Sequence, residues 1–538
     1  MDNVLAKIAR LNEIGIALSS AGDLEFLCDD ILSGAMELTD ADGGSLYRMT
    51  DDKTALEFVI VLTRSLGIHM GGNSGQPILF PAIPLYVEGR PNRRNVVSAS
   101  VHDAATINIA DVYHAEGFDF SGTRQFDRQT GYRTRSILTI PLKNHHNDTI
   151  GVLQLINARD LPSGETREFS AADQQLAESL ASQAAVAITN NRLIDEQREL
   201  FEAFIKLMAG AIDEKSPYTG GHCKRVPELT MMIAEACHQS DRGELKDFCM
   251  SDKDRYELTI AGWLHDVGKV TTPEYVVDKA TKLETIYDRI HSVDARFEVL
   301  KRDAVIASMQ EKLARLAEDA QADCSDIDRQ LQTQVERLDA DRDFIRQCNI
   351  GGEFMDEDSR KRLQEIAEYR WRNPDGEHVR ILSDEEVNNL SIARGTLTDE
   401  EREIINNHMA VTIRMLDQLP FPRHLANVPE YAGGHHERMD GRGYPRGLRR
   451  EQMSLQARMM GIADIFEALS ASDRPYKPGK PLSECLRILG QMKQDNHIDP
   501  DIFDAFIRYR VYLQYAEKFL PKSQIDEVDH SLISGYEE

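Results

Sequence analysis

No two of the seven cysteines in this chain stand at CxxC spacing. Cys28, Cys223, Cys237, Cys249, Cys324, Cys348 and Cys485 are scattered and odd in number. That excludes a disulfide framework and a zinc ribbon, and it reads as reduced thiols. A long apolar run is also missing: the most apolar stretch, ALEFVIVLTRSLGIHM, is broken by Arg64 and falls short of a membrane span. The opening MDNVLAKIARLNEIG is amphipathic and has no apolar h-region, so neither a signal peptide nor a membrane partner is expected and the chain is expected in the cytoplasm. Positive charge is scarce too, with 63 basic against 90 acidic residues and a formal net charge of −27. Such a surface argues against DNA as a partner. An anionic substrate would need a local cationic site, which clustered metal ions supply.

What the chain does have is histidine in a pattern. Five of its sixteen histidines fall in short blocks with apolar, helix-like flanks. These are GHCKRV with His222, WLHDVGK with His265, Asp266 and Lys269, INNH with His408, and GHHERMDGRGYP with His435 and His436. A further block, GIADIFEALSASDRPYK, carries Asp464. Blocks of this kind suit a metal site assembled from several helices. Imidazoles mixed with carboxylates are the donor set of Fe or Mn, less often of Zn. A carboxylate such as Asp266 can bridge two divalent ions about 3.5–4 Å apart, a pair that activates water and stabilises a leaving alkoxide. Lys269, one helical turn from Asp266, suits a non-bridging phosphate oxygen. By contrast His145 and His146 read as exposed turn residues, and His238, His378, His424 and His497 as surface or satisfied core residues.

The 538-residue length predicts two to four domains. Residues 1 to about 40 show helical spacing, and GSLYRM, LEFVIVLT, RSILTIPLK and TIGVLQLINA read as strands, the last two joined by the NHHND turn. An N-terminal α+β domain with an antiparallel sheet is expected over 1–192. A connecting helix over 170–209 carries Val186, Leu193, Leu200 and Leu207 seven residues apart, which favours a coiled coil and a parallel homodimer. An all-α domain is expected over 200–519, interrupted at about 288–394 by a charged helical hairpin insert. An acidic, frayed tail is expected at 520–538.

Two resemblances follow. NIADVYHAEGFDFSGTRQFDRQTGYRTRSILTIPL and IGVLQLINA resemble GAF domains, above all those of cyclic-nucleotide phosphodiesterases, over roughly residues 12–192. The Asn-Lys…Phe-x-x-x-Asp-Glu signature of those relatives is met at Asn157, Phe169 and Asp173 and departs at Ala158 and Gln174. The domain is therefore read either as a scaffold for dimer contacts or as the site of an unknown small ligand. Residues 200–519, insert excepted, resemble an HD-GYP phosphodiesterase domain through YTGGHCKRV, HDVGK, HHERMDGRGYP and ADIFEALSASDRPYK.

The second resemblance implies hydrolysis of cyclic di-GMP to pGpG and, in many members, on to GMP. It implies metal ligands at His222, His265, Asp266, His408, His435, His436 and Asp464, with Asp266 and Lys269 catalytic. Lys269, Tyr444, Arg474 and Lys477 would surround the substrate's phosphates and guanines, and Glu467, in place of the family's usual Asp, is grouped with them. Tyr218 replaces a Glu that helps some relatives hold a third metal, so two are expected. His291 competes with His408 as the middle ligand, and the acidic helix start at LTDEE favours His408. A non-catalytic cyclic dinucleotide receptor signalling through the insert stays open, as does another cyclic dinucleotide or a phosphomonoester as substrate.

Overall fold

A computed structural model describes residues 2–20, 24–160, 162–215, 221–351, 355–472 and 479–536. The chain divides into two compact units, Met1–Phe201 and Glu202–Glu538. No described helix is long and apolar enough to cross a membrane.

The first unit opens with helices α1 (Asp2–Ser20) and α2 (Leu24–Thr39) and is built on strands β1 (Ala41–Met49), β2 (Ala55–Thr63) and β3 (Ile68–Gly71). Short pieces β4 to β6 (Ile83–Pro84, Tyr86–Val87, Arg90–Pro91) and α3 (Val96–Asp103) precede β7 (Ile107–Ile109) and α4 (Ser121–Thr130). The hairpin β8 (Ile137–Lys143) and β9 (Thr149–Arg159) follows, with His145 and His146 exposed at its turn, and the short β10 (Thr166–Arg167) pairs with β9. The antiparallel sheet runs β3-β2-β1-β9-β8-β7. Side chains alternate across it, as a period of two requires. Leu138, Ile140, Leu142, Leu153 and Leu155 enter a core with α1, α2 and the start of the next helix, while Ile137 and Val152 enter a second core with Val97 and Phe120. Both faces are covered, which is why β8 reads as a nearly unbroken apolar run.

The three matched signature residues hold this unit together. The Asn157 side chain accepts from the amides of Arg135 and Ser136 and donates to the Arg133 carbonyl. Phe169 lies in the first core. Asp173 accepts from Arg167 and from the Ser170 amide, fixing the entry to the long helix.

That helix, α5, spans Ala171–Lys215, six residues past the expected end. Gly210 sits inside it. An interior glycine costs roughly 1 kcal/mol, and the burial of Ile205, Ala209 and Ile212 on either side of it offsets that cost. The seven-residue series Val186, Leu193, Leu200 and Leu207 is exposed.

The second unit is mostly helical, with α6 (His222–His238), α7 (Asp252–Leu264), α8 (Glu274–Val277), α13 (Asp399–Asp417), α14 (Val428–Gly433) and α15 (Leu455–Ser470) around the histidine blocks. Helices α16 (Leu482–Gln494), α17 (Pro500–Arg508) and α18 (Val511–Phe519) complete it. Inside it lie α9 (Ile290–Glu318) and α10 (Ser325–Asn349), tied in antiparallel register by Asp294–Arg346, Lys301–Asp339 and Lys312–Asp328. The segment is more than a hairpin: α11 (Glu357–Ala367), the strand pair β11 (Arg370–Arg372) and β12 (His378–Arg380), and α12 (Asp384–Leu390) follow. Val293, Phe297, Ile345, Leu363, Ile381 and Leu390 form its own core. The sparse apolar spacing conceals this core because no single helix supplies it. Two buried lysines anchor its base. Lys279 donates to Asn389 and to both oxygens of Glu401, and Lys282 to the carbonyls of Leu390 and Ile392.

The tail corrects the expectation of fraying. Gln524 is buried and donates to the carbonyls of Ser470 and Lys480, Asp526 accepts from Ser483, and Ile533 is buried. Two side chains satisfying helix-end groups outweigh the acidic composition.

Asp499 is a buried acid of this unit. It caps α17 through the amides of Asp501 and Ile502 and accepts from Arg450 at 2.8 Å and Arg458 at 2.8 Å. Burial pushes its carboxyl up, yet the two guanidinium groups hold it below the ordinary range. A depressed folded-state value contributes stability above the unfolded value, about 3.9, that is lost as pH falls through the folded value. Asp499→Ala is expected to remove the buried acceptor of both arginines, which keep Glu244 and, for Arg450, Asp501, and to cost about 1–3 kcal/mol, read as a lower urea midpoint at pH 7 and a smaller deficit at pH 3.

Candidate metal centre

Helix ends deliver five of the seven donors, and helix interiors the other two. His222 is the first residue of α6, and His265 and Asp266 follow the last turn of α7, which opens with a capping box at Ser251 and Asp254. His408 lies mid-way along α13, His435 and His436 follow α14, and Asp464 is in α15. Gly268 lets these elements meet. A Cβ there would lie 2.0 Å from the His408 carbonyl oxygen, and the Gly268 amide donates to Thr412 Oγ1 at 2.9 Å. Only a residue without a side chain lets the 3₁₀ turn after Asp266, Val267–Thr271, press against α13.

Asp266 lies at the centre, 2 % exposed. Its Oδ2 faces His222 Nε2 at 3.3 Å and His265 Nε2 at 3.2 Å. Its Oδ1 faces His408 Nε2 at 3.3 Å and His435 Nε2 at 4.0 Å. Asp464 Oδ1 is 3.3 Å from His222 Nε2. The donors thus form two groups sharing one carboxylate: His222, His265 and Asp266, with Asp464 beside them, and Asp266, His408, His435 and His436.

The ring orientations are set by the other nitrogen. His265, His408 and His435 each turn Nδ1 to the carbonyl three residues earlier, Gly262, Ile405 and Ala432. Nδ1 is therefore the protonated nitrogen, and the Nε2 lone pairs converge. His408 Nε2, His435 Nε2 and Asp266 Oδ1 are buried without a hydrogen-bond partner among the described residues. Three orphaned buried donors converging on one space fit a cation. Burial holds His435 well below the usual imidazole value and His436 down to about 4, so both are neutral, the form that ligates. Burial opposes ionisation of Asp266 and Asp464, but Lys269 and His265 at the first and His222 and His436 at the second hold both carboxyls well below their usual range.

The remaining expected residues divide. Lys269 Nζ is 2.5 Å from Asp266 Oδ2, with its side chain 22 % exposed at the margin of the donor cluster. The Tyr444 ring stacks on His436, centroids 4.9 Å apart and planes 20° apart. His291 is exposed on α9, away from the cluster that His408 joins. Arg474, Lys477 and Tyr218 lie outside the described residues.

Glu467 turns inward. It is 1 % exposed, with Oε2 on His222 Nδ1 at 2.6 Å and Oε1 on Arg225 at 2.7 Å. Both oxygens are engaged, and from inside the protein the side chain backs His222. Burial opposes its charge, but His222 and Arg225 hold it down to about 2. Arg225 went unread in the sequence. Its signal is the spacing of three from His222, which places both on one face of α6.

Glu437 and Asp440 of the GHHERMDGRGYP block shape the loop. Glu437 accepts from the amides of Arg446 and Leu448, and Asp440 from that of Arg442.

The GAF domain family matches residues 23–188, and two HD domain families match 219–336 and 383–502. The chain joins a GAF domain to an HD domain. Over 114 residues it is 41 % identical to a cyclic di-GMP phosphodiesterase of Pseudomonas aeruginosa, covering 21 % of this chain and 26 % of that protein. Over 113 residues it is 41 % identical to 3′3′-cGAMP-specific phosphodiesterase 3 of Vibrio cholerae, covering 21 % and 23 %. The match spans about a quarter of the length of these relatives. Among solved structures, the GAF domain of a phosphoenolpyruvate-protein phosphotransferase from Coxiella burnetii covers 36 % of this chain and 99 % of its own, at 17 % identity and a TM-score of 0.28. The two HD segments flank residues 337–382, so most of α10, α11 and the β11–β12 pair interrupt the HD region.

Proposed function

We propose that this GAF–HD protein hydrolyses the phosphodiester bonds of a cyclic dinucleotide, cyclic di-GMP first, to pGpG and onward to GMP. The observation that carries this reading is Asp266, each of whose oxygens faces a separate set of imidazole Nε2 atoms. His222, His265 and Asp464 would hold one divalent cation and His408, His435 and His436 the other, with Asp266 between them and Fe or Mn the best match to the donors. Two such ions supply the Lewis acidity that activates water and neutralises charge on the phosphoryl group.

The chain's own residues do the rest. Lys269 presents its ammonium at the edge of the centre, where a non-bridging phosphate oxygen would sit. The Tyr444 ring, fixed against His436, offers a flat wall beside the scissile phosphate. Arg474 and Lys477 would contact the guanines. The relatives include both a cyclic di-GMP enzyme and a cGAMP enzyme, and the region that would choose between them includes Arg474 and Lys477.

Chromatography of metal-loaded protein with cyclic di-GMP, 3′3′-cGAMP and a phosphomonoester tests the reading. Linear pGpG from wild type and none from folded His265→Ala is the expected result. Wild-type-like turnover by that variant, or binding without turnover by wild type, removes it.

The GAF domain would bias activity through α5 in a cytoplasmic parallel homodimer. Leu193→Asp with Leu200→Asp, on the exposed heptad face, is expected to halve the mass measured by light scattering. An unchanged mass would argue against pairing along this helix.

A further inference from the structure

The last turn of α5 grips the metal centre at two points. Lys215 Nζ donates to the carbonyls of Lys269 at 3.3 Å, Val270 at 2.6 Å and Thr272 at 2.6 Å. Those carbonyls end the 3₁₀ turn Val267–Thr271 that directly follows His265 and Asp266. Two residues earlier in α5, Asp213 is 8 % exposed and accepts from the Gly221 amide at 3.1 Å through Oδ2 and the Cys223 amide at 3.3 Å through Oδ1. These amides flank His222 at the start of α6. Each charge meets the helix end of complementary polarity: the ammonium sits on carbonyls at the end of one turn and the carboxylate on amides at the start of a helix. Asp213 and Lys215 line one cleft with His222, Asp266 and Lys269.

The same helix begins in the other unit. Ala177, Leu180, Ala181, Ala184 and Ala185 belong to the core beneath the GAF sheet. Between that core and Lys215 the helix is continuous and contains no proline. Asp213 and Lys215 therefore share one unbroken helix with that core, Gly210 included.

We propose that Lys215 and Asp213 are positioning residues that tie the connecting helix to the two segments bearing His222 and His265–Asp266, so that the register of α5 sets the geometry of the centre. The proposal rests on the phosphodiesterase reading for its activity readout. Among the described residues the hydrogen bonds of Lys215 go to backbone carbonyls, which makes it a lever on Asp266 and Lys269 and not a reacting group. A displacement of about 1 Å at such a centre changes rates by up to roughly 10²-fold.

The test uses the full chain with insertions between Glu196 and Leu200. One added residue turns the downstream helix by about 100°, and seven added residues return it to within about 20° of its phase. In an otherwise wild-type protein, the single insertion is expected to change cyclic di-GMP cleavage by about tenfold or more, and the seven-residue insertion by about twofold or less. Lys215→Met is expected to erase the difference between the insertions, and Lys215→Arg, which keeps the donor, to retain it.

Hydrogen exchange of residues 266–272 is read in the same proteins. Exchange faster by about tenfold in Lys215→Met than in wild type reports the released turn. Equal rates for the two insertions in the wild-type background, persistence of their difference in Lys215→Met, or unchanged exchange overturns the proposal. If wild type neither holds metal nor cleaves any dinucleotide, the phosphodiesterase reading fails, while the exchange measurement still decides whether Lys215 holds the turn.

Discussion

Asp266→Asn is expected to bind neither cation tightly and to lose phosphodiester cleavage by about 10³-fold or more, equivalent to roughly 4 kcal/mol of barrier. The size follows from position. Among the described residues Asp266 is the one carboxylate in both donor groups, with Oδ2 toward His222 and His265 and Oδ1 toward His408 and His435. An amide keeps the volume but has one weak acceptor where the carboxylate has two charged oxygens, so both groups lose their shared anion together. Lys269, 2.5 Å from Oδ2, also loses its ion-pair partner and its fixed orientation. A variant of one outer ligand, His408→Ala, should weaken its own group first. Metal content by mass spectrometry and pGpG formation measure both, with far-UV circular dichroism showing that the fold persists. Two cations retained by Asp266→Asn would contradict the shared-carboxylate geometry.

Glu467→Gln has the second largest expected effect, and it should be one-sided. Three of the four imidazoles around Asp266 rest Nδ1 on a carbonyl three residues earlier in their own segment. His222, first residue of its helix, rests on Glu467 instead, at 2.6 Å, and Arg225 holds that carboxylate from the next turn of α6. A buried carboxylate makes the ring a stronger donor than a carbonyl does, and losing such a partner typically lowers metal affinity about 10–100-fold. Glutamine can still accept from Nδ1, so ring orientation survives while the negative charge is lost. The expected result is one cation weakened by that factor, about 1.4–2.7 kcal/mol, with the cation beside His408 and His436 unchanged. Competition against a chelator resolves the two steps. Equal weakening of both, or of neither, would remove Glu467 from this role.

How much of this could be read from the residues alone differs by element. The strands of the GAF unit and the histidine blocks were legible because each is local: period-two alternation marks β8 and β9, and short blocks with helical flanks mark the donors. The convergence of His222, His265, His408, His435 and His436 was legible only through resemblance, since no spacing along the chain encodes that Gly268 brings one turn against α13.

Glu467 makes a contact with His222 that was not legible. Its side chain points into the protein because Arg225 and His222 together offset the cost of burying it, a pairing across some 240 residues of sequence. The core of the insert escaped notice for a similar reason: Phe297, Ile345, Leu363 and Ile381 come from different elements, none apolar enough alone. Gln524 docks the tail through carbonyls that no sequence pattern advertises. Lys215 carries no sequence signal, because its three partners are backbone carbonyls.

The most direct measurement is the metal content of anaerobically purified wild-type protein, by mass spectrometry, taken on the sample whose cyclic di-GMP turnover is followed by chromatography. Close to two Fe or Mn ions per chain, with pGpG appearing only while they are bound, is the predicted result. Protein that binds no divalent ion after reconstitution, or that cleaves equally well once chelated, would contradict a centre built on Asp266.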